Sequence, residues 1–462
     1  MPIQAITQLI GDLSEEERDQ LNLFSNDDFP EWVLTRENGY RIIDNIFVED
    51  YCAEKQLKCV NGLLYDQSGR IDDRAVRADI QRRIKPWCDV NLANKAEGLL
   101  NGVKNECYIP QPPLKENVIN CSDGAFFLTE DGNILQDEPE FTLNRLNVSC
   151  QMNAPKPHRW MSFLNDLLEP DDILTLQEYL GYCLIPTTRA QTMLFLIGRG
   201  GEGKSRIGVV LYEIFQNSML IGSLGNIQED KFAGAALENR LLFLDDDLKG
   251  TKLSDTDFIK SVITAESPMQ VQRKGVDLYS VRLYCRMIAF GNQAMGSMFD
   301  RSDGFYRRQI MLMCKRVPKG RIVDTELSKK LIAEKQGIFL WMLEGLKRLA
   351  KNGFQFTKSE ASIRLMQERK EEDNNVISFL KDKSSVEFAE TYDSTSREIY
   401  DCYLRWCSSN AEISLSERTV LGWIKENAEE YNLKPTNKIL RQDRRLRGFK
   451  GIRTQTYNGF SV

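Results

Sequence analysis

One octapeptide constrains this chain more than any other stretch: Gly198-Arg199-Gly200-Gly201-Glu202-Gly203-Lys204-Ser205 follows directly on the apolar run Thr192-Met193-Leu194-Phe195-Leu196-Ile197. The apolar run predicts a strand, and Ile207, Val210, Leu211, Ile214 and Phe215 recur behind the glycines at helical spacing. Strand, G-x-x-x-x-G-K-S and helix start, in that order, predict a phosphate-binding loop. Its glycines let successive backbone N–H groups turn inward on phosphate oxygens, and the helix N-terminus adds partial positive charge. Lys204 is then expected to reach the β- and γ-phosphates of ATP, and the Ser205 hydroxyl to ligate Mg²⁺.

A second strand, Leu241-Leu242-Phe243-Leu244, ends in Asp245-Asp246, with Asp247 continuing the acidic run. An acid at a strand tip beside a phosphate loop can hold Mg²⁺, and a second can orient the attacking water. Asp245 is assigned the first role and Asp246 the second, with a register open by one residue because of Asp247. A third strand, Met287-Ile288-Ala289-Phe290, leads into Gly291-Asn292. The Asn292 amide there can hydrogen-bond both γ-phosphate and water. Arg307-Arg308 then precede another apolar strand. Either arginine is placed to neutralise charge on a neighbouring subunit's γ-phosphate, which implies a ring.

Other features exclude alternatives. The chain has 462 residues, a formal net charge of −6 and one histidine, His158. A mechanism needing two histidines is ruled out, and His158 reads as a loop residue. The eleven cysteines are scattered without C-x-x-C spacing, which predicts reduced core thiols rather than a structural zinc site. No stretch approaches a membrane span, so a soluble cytoplasmic protein without membrane contact is expected.

Two basic elements point to nucleic acid. Between the acids and Asn292, the segment Val271-Gln272-Arg273-Lys274-Gly275-Val276 predicts a hairpin with Lys-Gly at its tip. Near the C-terminus, Lys438, Arg441, Arg444, Arg445, Arg447, Lys450 and Arg453 face only Asp443. Upstream of that cluster, Ile399, Tyr403, Trp406 and Cys407 predict one amphipathic helix, and Val420, Trp423, Ile424 and Ala428 another, with Ser416 as its cap. A basic helix and short strands around Gly448, Gly451 and Gly459 are expected to follow.

The ordered set of glycine loop, paired acids, Lys260, Arg273-Lys274-Gly275, Gly291-Asn292 and Arg307-Arg308 resembles a superfamily 3 helicase of the AAA+ class. More narrowly, it is similar to the helicase part of phage/plasmid and poxvirus-type primase-helicases, over residues 115–462. The resemblance implies an α/β AAA+ P-loop NTPase core at 186–320. An N-terminal accessory region (1–114), a helical pre-ATPase segment (115–185), a post-ATPase helical segment (321–372) and a winged-helix-like DNA-binding domain (373–462) would surround it. It further implies a ring, expected to be a hexamer, that uses ATP and Mg²⁺ to translocate on single-stranded, forked or origin DNA. The hairpin residues Arg273 and Lys274 would grip backbone in the channel, while Arg441, Arg444, Arg445, Arg447 and Lys450 would contact DNA. A separate primase would be a further partner, since residues 1–114 carry no recognisable polymerase metal triad or zinc ribbon. An origin-binding initiator or remodelling ATPase stays open as the alternative, and a small-molecule kinase would leave both basic elements without a task.

Overall fold

The structure is a computed structural model and describes residues 29–36, 39–137, 141–248, 256–292, 306–321, 324–456 and 459–460. It is a mixed α/β protein built on a parallel sheet of β1 (Met193–Ile197), β2 (Met219–Ile221), β3 (Leu242–Leu248), β4 (Arg286–Gly291) and β5 (Gln309–Met313). The spatial order is β2-β3-β4-β1-β5. Strands of such a sheet are covered on both faces, which explains their unbroken apolar runs. Alternation along each strand feeds two separate cores. Leu194, Leu196, Leu242 and Leu244 pack with Ile207, Val210 and Leu211 on one face, while Phe195, Phe243 and Ala289 pack with Leu224, Ile227 and Ile259 on the other.

The first face is closed by α1 (His158–Leu167), α2 (Pro170–Tyr182), α3 (Lys204–Phe215) and the long helix Lys335–Lys351. Two glycines let α2 and Lys335–Lys351 touch backbone to backbone. A Cβ on Gly345 would lie 2.2 Å from the Gln177 carbonyl oxygen, and one on Gly181 would lie 2.4 Å from that of Met342. Glu178, 1% exposed, locks the pair through Arg348 at 2.5 Å. His158 does not lie in a loop as expected but opens α1. Segment 115–185 is not wholly helical either. It contains a three-stranded antiparallel sheet (Val118–Asn120, Ala125–Leu128 and Ile134–Asp137) whose Ile119, Phe126 and Leu128 join the same core.

Residues between 29 and 107 carry a core of their own, in which Trp32, Phe47 and Tyr51 meet Ile80, Leu100 and Val103. The C-terminal region has a fourth core around Phe379, Tyr403, Trp406, Val420, Ile424 and Phe449. Its order is helix Asn375–Lys381, β6 (Val386–Thr395), α4 (Ser396–Ser409), α5 (Glu417–Glu426), β7 (Lys434–Arg441) and β8 (Arg444–Thr456). The Thr395 capping box starts α4, and the Ser416 side chain caps α5 as expected. The basic stretch is not a helix. It forms the β7–β8 hairpin, turned by Gln442 and Asp443, both at positive φ, so that Arg441 pairs with Arg444. Two central residues at positive φ give the turn whose twist suits a tight hairpin.

Among the described residues no helix is long and apolar enough to cross a membrane.

Candidate functional site

The glycine loop leaves the C-terminal end of β1 and hands the chain to α3 at Lys204. Gly200, Gly201 and Gly203 have φ of 104°, 82° and 108°, a region closed to ordinary L-residues, so this turn requires glycine. A Cβ on Gly200 or Gly201 would meet nothing within 4 Å, which leaves an open cradle above the α3 N-terminus. The loop is pinned to its neighbour strand where the Gly198 N–H donates to the Gly291 carbonyl at 3.0 Å. That contact brings the end of β4, and Asn292 after it, beside the loop.

Glu202 takes a role that spacing did not reveal. Its side chain is 4% exposed and accepts from the Arg199 N–H, from the Gly200 N–H at 3.0 Å and from Lys204 Nζ at 3.0 Å. Burial opposes ionisation, yet the Lys204 ammonium and these N–H groups hold its carboxyl below the usual carboxylate range. Glu202 thus braces the loop and Lys204 from inside. Arg321 also arrives from beyond β5 and donates to the Glu202 carbonyl at 3.1 Å. It puts a cation next to the loop of its own chain that the motif search missed, because it lies over 100 residues downstream in a run of ordinary basic residues.

The three acids of β3 divide between the two faces of the sheet. Asp245 lies on the Phe243 face and is 4% exposed. Its oxygens accept from the Leu224 N–H at 2.8 Å and the Asp247 N–H at 3.2 Å. Burial pushes its carboxyl up despite those amides. Asp246 follows Leu244 onto the α3 face, where the Ser205 side chain favours its charged form. Its Oδ1 would lie 3.9 Å from a Cβ on Gly208 of α3. Partial withdrawal from water pushes the Asp246 carboxyl up, and the Asp247 charge adds to this, against the Ser205 hydroxyl and the Lys204 charge. Asp245, expected to hold the metal, has its carboxylate engaged by the Leu224 and Asp247 amides, and the acid beside Ser205 is Asp246.

Arg307 and Arg308 sit at the opposite end of the sheet. β5 runs parallel to β1 with Gln309 opposite Met193 and Met313 opposite Ile197, so both arginines lie roughly 16 Å of strand from the loop of their own chain. Arg307 is exposed there, next to Tyr306 and Lys358 in a shallow cavity of about 230 Å³.

The predicted hairpin exists as Met269–Val271 paired with Tyr279–Val281. Gly275, at φ 78°, completes a turn closed by the Val276 N–H to the Arg273 carbonyl at 3.1 Å. Lys274 is exposed at its tip. Arg273, expected on DNA, has its guanidinium engaged at the hairpin base. It pairs with the fully buried Glu238, donates to the Asn61 carbonyl at 2.6 Å and stacks over Tyr279. Tyr279 and Asn61 donate to the same Glu238 carboxylate at 2.7 and 3.2 Å. In the C-terminal domain Arg441 is likewise engaged, by Glu398 at 2.9 Å and Asp393 at 3.0 Å, which removes it from the expected DNA contacts. Arg444, Arg445, Arg447 and Lys450 are exposed.

A family of unknown function, DUF5906, matches residues 196–308, a span that runs from the end of β1 to Arg308. Among solved structures, the chain is similar to the A form of the apo NrS-1 C terminal region at 14% identity and a TM-score of 0.47, covering 84% of this chain and 87% of that one. A second structure of the apo NrS-1 C terminal region (305–718) is also 14% identical, with a TM-score of 0.46, and covers 89% of this chain and all of that one. No curated protein matches.

Proposed function

We propose that this chain is an ATP-dependent DNA helicase of the superfamily 3, AAA+ type, working in replication of a mobile element. The observation that carries the reading is the meeting of Lys204, Ser205 and Asp246 at the C-terminal ends of the parallel sheet. Ligands of such sheets bind in the crevice beyond those ends. The loop's glycine turn and the α3 N-terminus supply inward N–H groups and partial charge for the phosphates of ATP. Lys204, already inside the loop, neutralises β/γ charge once ATP draws it from Glu202.

The donor set fits Mg²⁺ better than a cation that needs an all-protein cage: one hydroxyl and one carboxylate face each other, and among the described residues no cluster of three metal-binding side chains exists. Ser205 and Asp246 would hold it. Bound there, it would neutralise charge on the phosphate oxygens. Asp247, next along β3 and exposed, becomes the acid that orients the attacking water, and Asn292 the amide that contacts it. Because Arg307 and Arg308 are far from the loop of their own chain, they serve the site of a neighbour, and the active form is a ring. Lys274 contacts DNA backbone in the channel, and the C-terminal domain, read as a winged helix, supplies a second contact.

Strand displacement of forked DNA by the purified full chain with ATP and Mg²⁺ tests this. Unwinding that requires ATP is expected. Hydrolysis and DNA binding without displacement on either fork polarity would hand the reading to an initiator or remodelling ATPase.

A further inference from the structure

The C-terminal domain presents two candidate surfaces to a polyanion, and their charges differ in sign. α5 and the turn after it carry Arg418 and Lys425 against Glu417, Glu426, Glu429 and Glu430. The β7–β8 hairpin, from Lys434 to Lys450, carries seven basic residues against Asp443. One of the seven, Arg441, is neutralised by Asp393 and Glu398. The other six (Lys434, Lys438, Arg444, Arg445, Arg447 and Lys450) are all exposed, and none is in an ion pair among the described residues.

Packing supports the same division. α5 buries Val420 and Ile424, and with the turn after it carries more acids than bases, so a phosphate backbone laid along it meets no net attraction. The hairpin buries Phe449 and Ile452 near its base and Ile439 closer to its turn. Towards its turn it exposes Leu440 and Leu446 between the arginines. Engaged on both carboxylates, Arg441 ties the hairpin to the start of α4 and fixes the direction in which the free arginines project.

We propose that this domain holds nucleic acid with the β7–β8 hairpin, through phosphate contacts that ignore sequence, and not with α5 inserted in a groove. This rests on the reading of the chain as a DNA-acting ATPase. Phosphate contacts set affinity and salt dependence, while base-edge contacts set sequence preference. The two modes therefore separate in one titration.

The test is equilibrium binding of the full chain to duplexes of three unrelated sequences over a range of salt concentrations. Arg445→Ala/Arg447→Ala should weaken binding by about tenfold at low salt, equally on all three, and lower the slope of log K against log salt by up to about 0.9 per lost contact. Arg445→Lys/Arg447→Lys should keep most of the binding, since a point charge suffices for phosphate. Arg418→Ala/Lys425→Ala should bind within about twofold of wild type. Greater loss in the α5 variant, sequence-dependent loss in the hairpin variant, or an unchanged salt slope would overturn the hairpin mode and leave the ATPase reading standing. Wild-type protein that binds none of the duplexes would overturn both.

Discussion

The phosphate loop and the C-terminal hairpin are both anion-binding surfaces in this account, and they are built on opposite plans. At the loop the backbone makes the site: three residues at positive φ, a helix N-terminus and one lysine held from within by Glu202. At the hairpin the backbone is an ordinary antiparallel ladder, and side-chain charge alone makes the surface. The first plan tolerates almost no substitution, whereas the second spreads its effect over six interchangeable cations. The contrast also shows what decides a basic residue's task. Arg273 and Lys274 are neighbours, as are Arg441 and Arg444 across the turn. In each pair one member has been claimed by carboxylates and the other has not.

The largest effects should come from the proposed site shared between subunits. Replacing the functional finger, Arg307 or Arg308, by Ala is expected to lower ATP turnover by about 10³–10⁵-fold, the range for loss of an arginine finger. Mixed with Lys204→Ala, which is expected to be inactive for a different reason, such a variant should regain partial turnover, because some interfaces then combine an intact loop with an intact finger. No recovery in mixtures shown to exchange subunits would break the comparison at its base.

Asp246→Asn should reduce turnover by about 10²–10³-fold, the scale of one lost preorganised electrostatic group, while nucleotide binding persists. Asp245→Asn should instead lower the melting temperature and leave turnover within a few-fold, because its carboxylate caps backbone amides. Turnover assays and thermal melts on the two variants sharpen the register, and the reverse result would restore Asp245 to the metal.

Between Arg273 and Lys274 the expected outcomes diverge as sharply. Arg273→Ala leaves the fully buried Glu238 without its guanidinium, held only by Tyr279 and Asn61, and should cost about 3 kcal/mol of stability. Lys274→Ala, at an exposed turn, should leave denaturant midpoints unchanged and abolish strand displacement.

The smallest effect is expected at Arg441. Although burial works against ionisation of Glu398, Arg441 and the Thr395 N–H hold its carboxyl below the usual value of about 4.3. The unfolded chain then binds the extra proton, so the contribution is fully present above that value and is lost as pH falls through the depressed folded value. Arg441→Ala should cost about 1–2 kcal/mol at neutral pH. That deficit should shrink on acidification, in urea titrations from pH 7 downward. A pH-independent deficit would assign the loss to packing of the arginine stem.

These outcomes also mark what could be read in advance. The loop was legible because its motif specifies backbone conformation, and backbone conformation depends on glycine spacing. The phase of β3 was not, since Leu242, Phe243 and Leu244 are all buried and an apolar run covered on both faces hides which residues share the α3 side. Arg273 was misread because its partner Glu238 lies 35 residues upstream, in no motif. At the C-terminus Lys438, Arg441 and Arg444 recur every three residues, a helical spacing, and the hairpin turn uses Gln442-Asp443 in place of glycine or asparagine. Tertiary pairing with β6 overrode that local signal.

The central claim is that the Gly198–Ser205 loop binds and cleaves ATP to drive the rest of the molecule. Steady-state phosphate release from wild-type and Lys204→Ala proteins, each with and without forked DNA, tests it most directly. Turnover by the wild type that rises with DNA, and its loss in Lys204→Ala with the fold intact by thermal melting, is the expected result. Equal turnover by the two proteins would contradict the account.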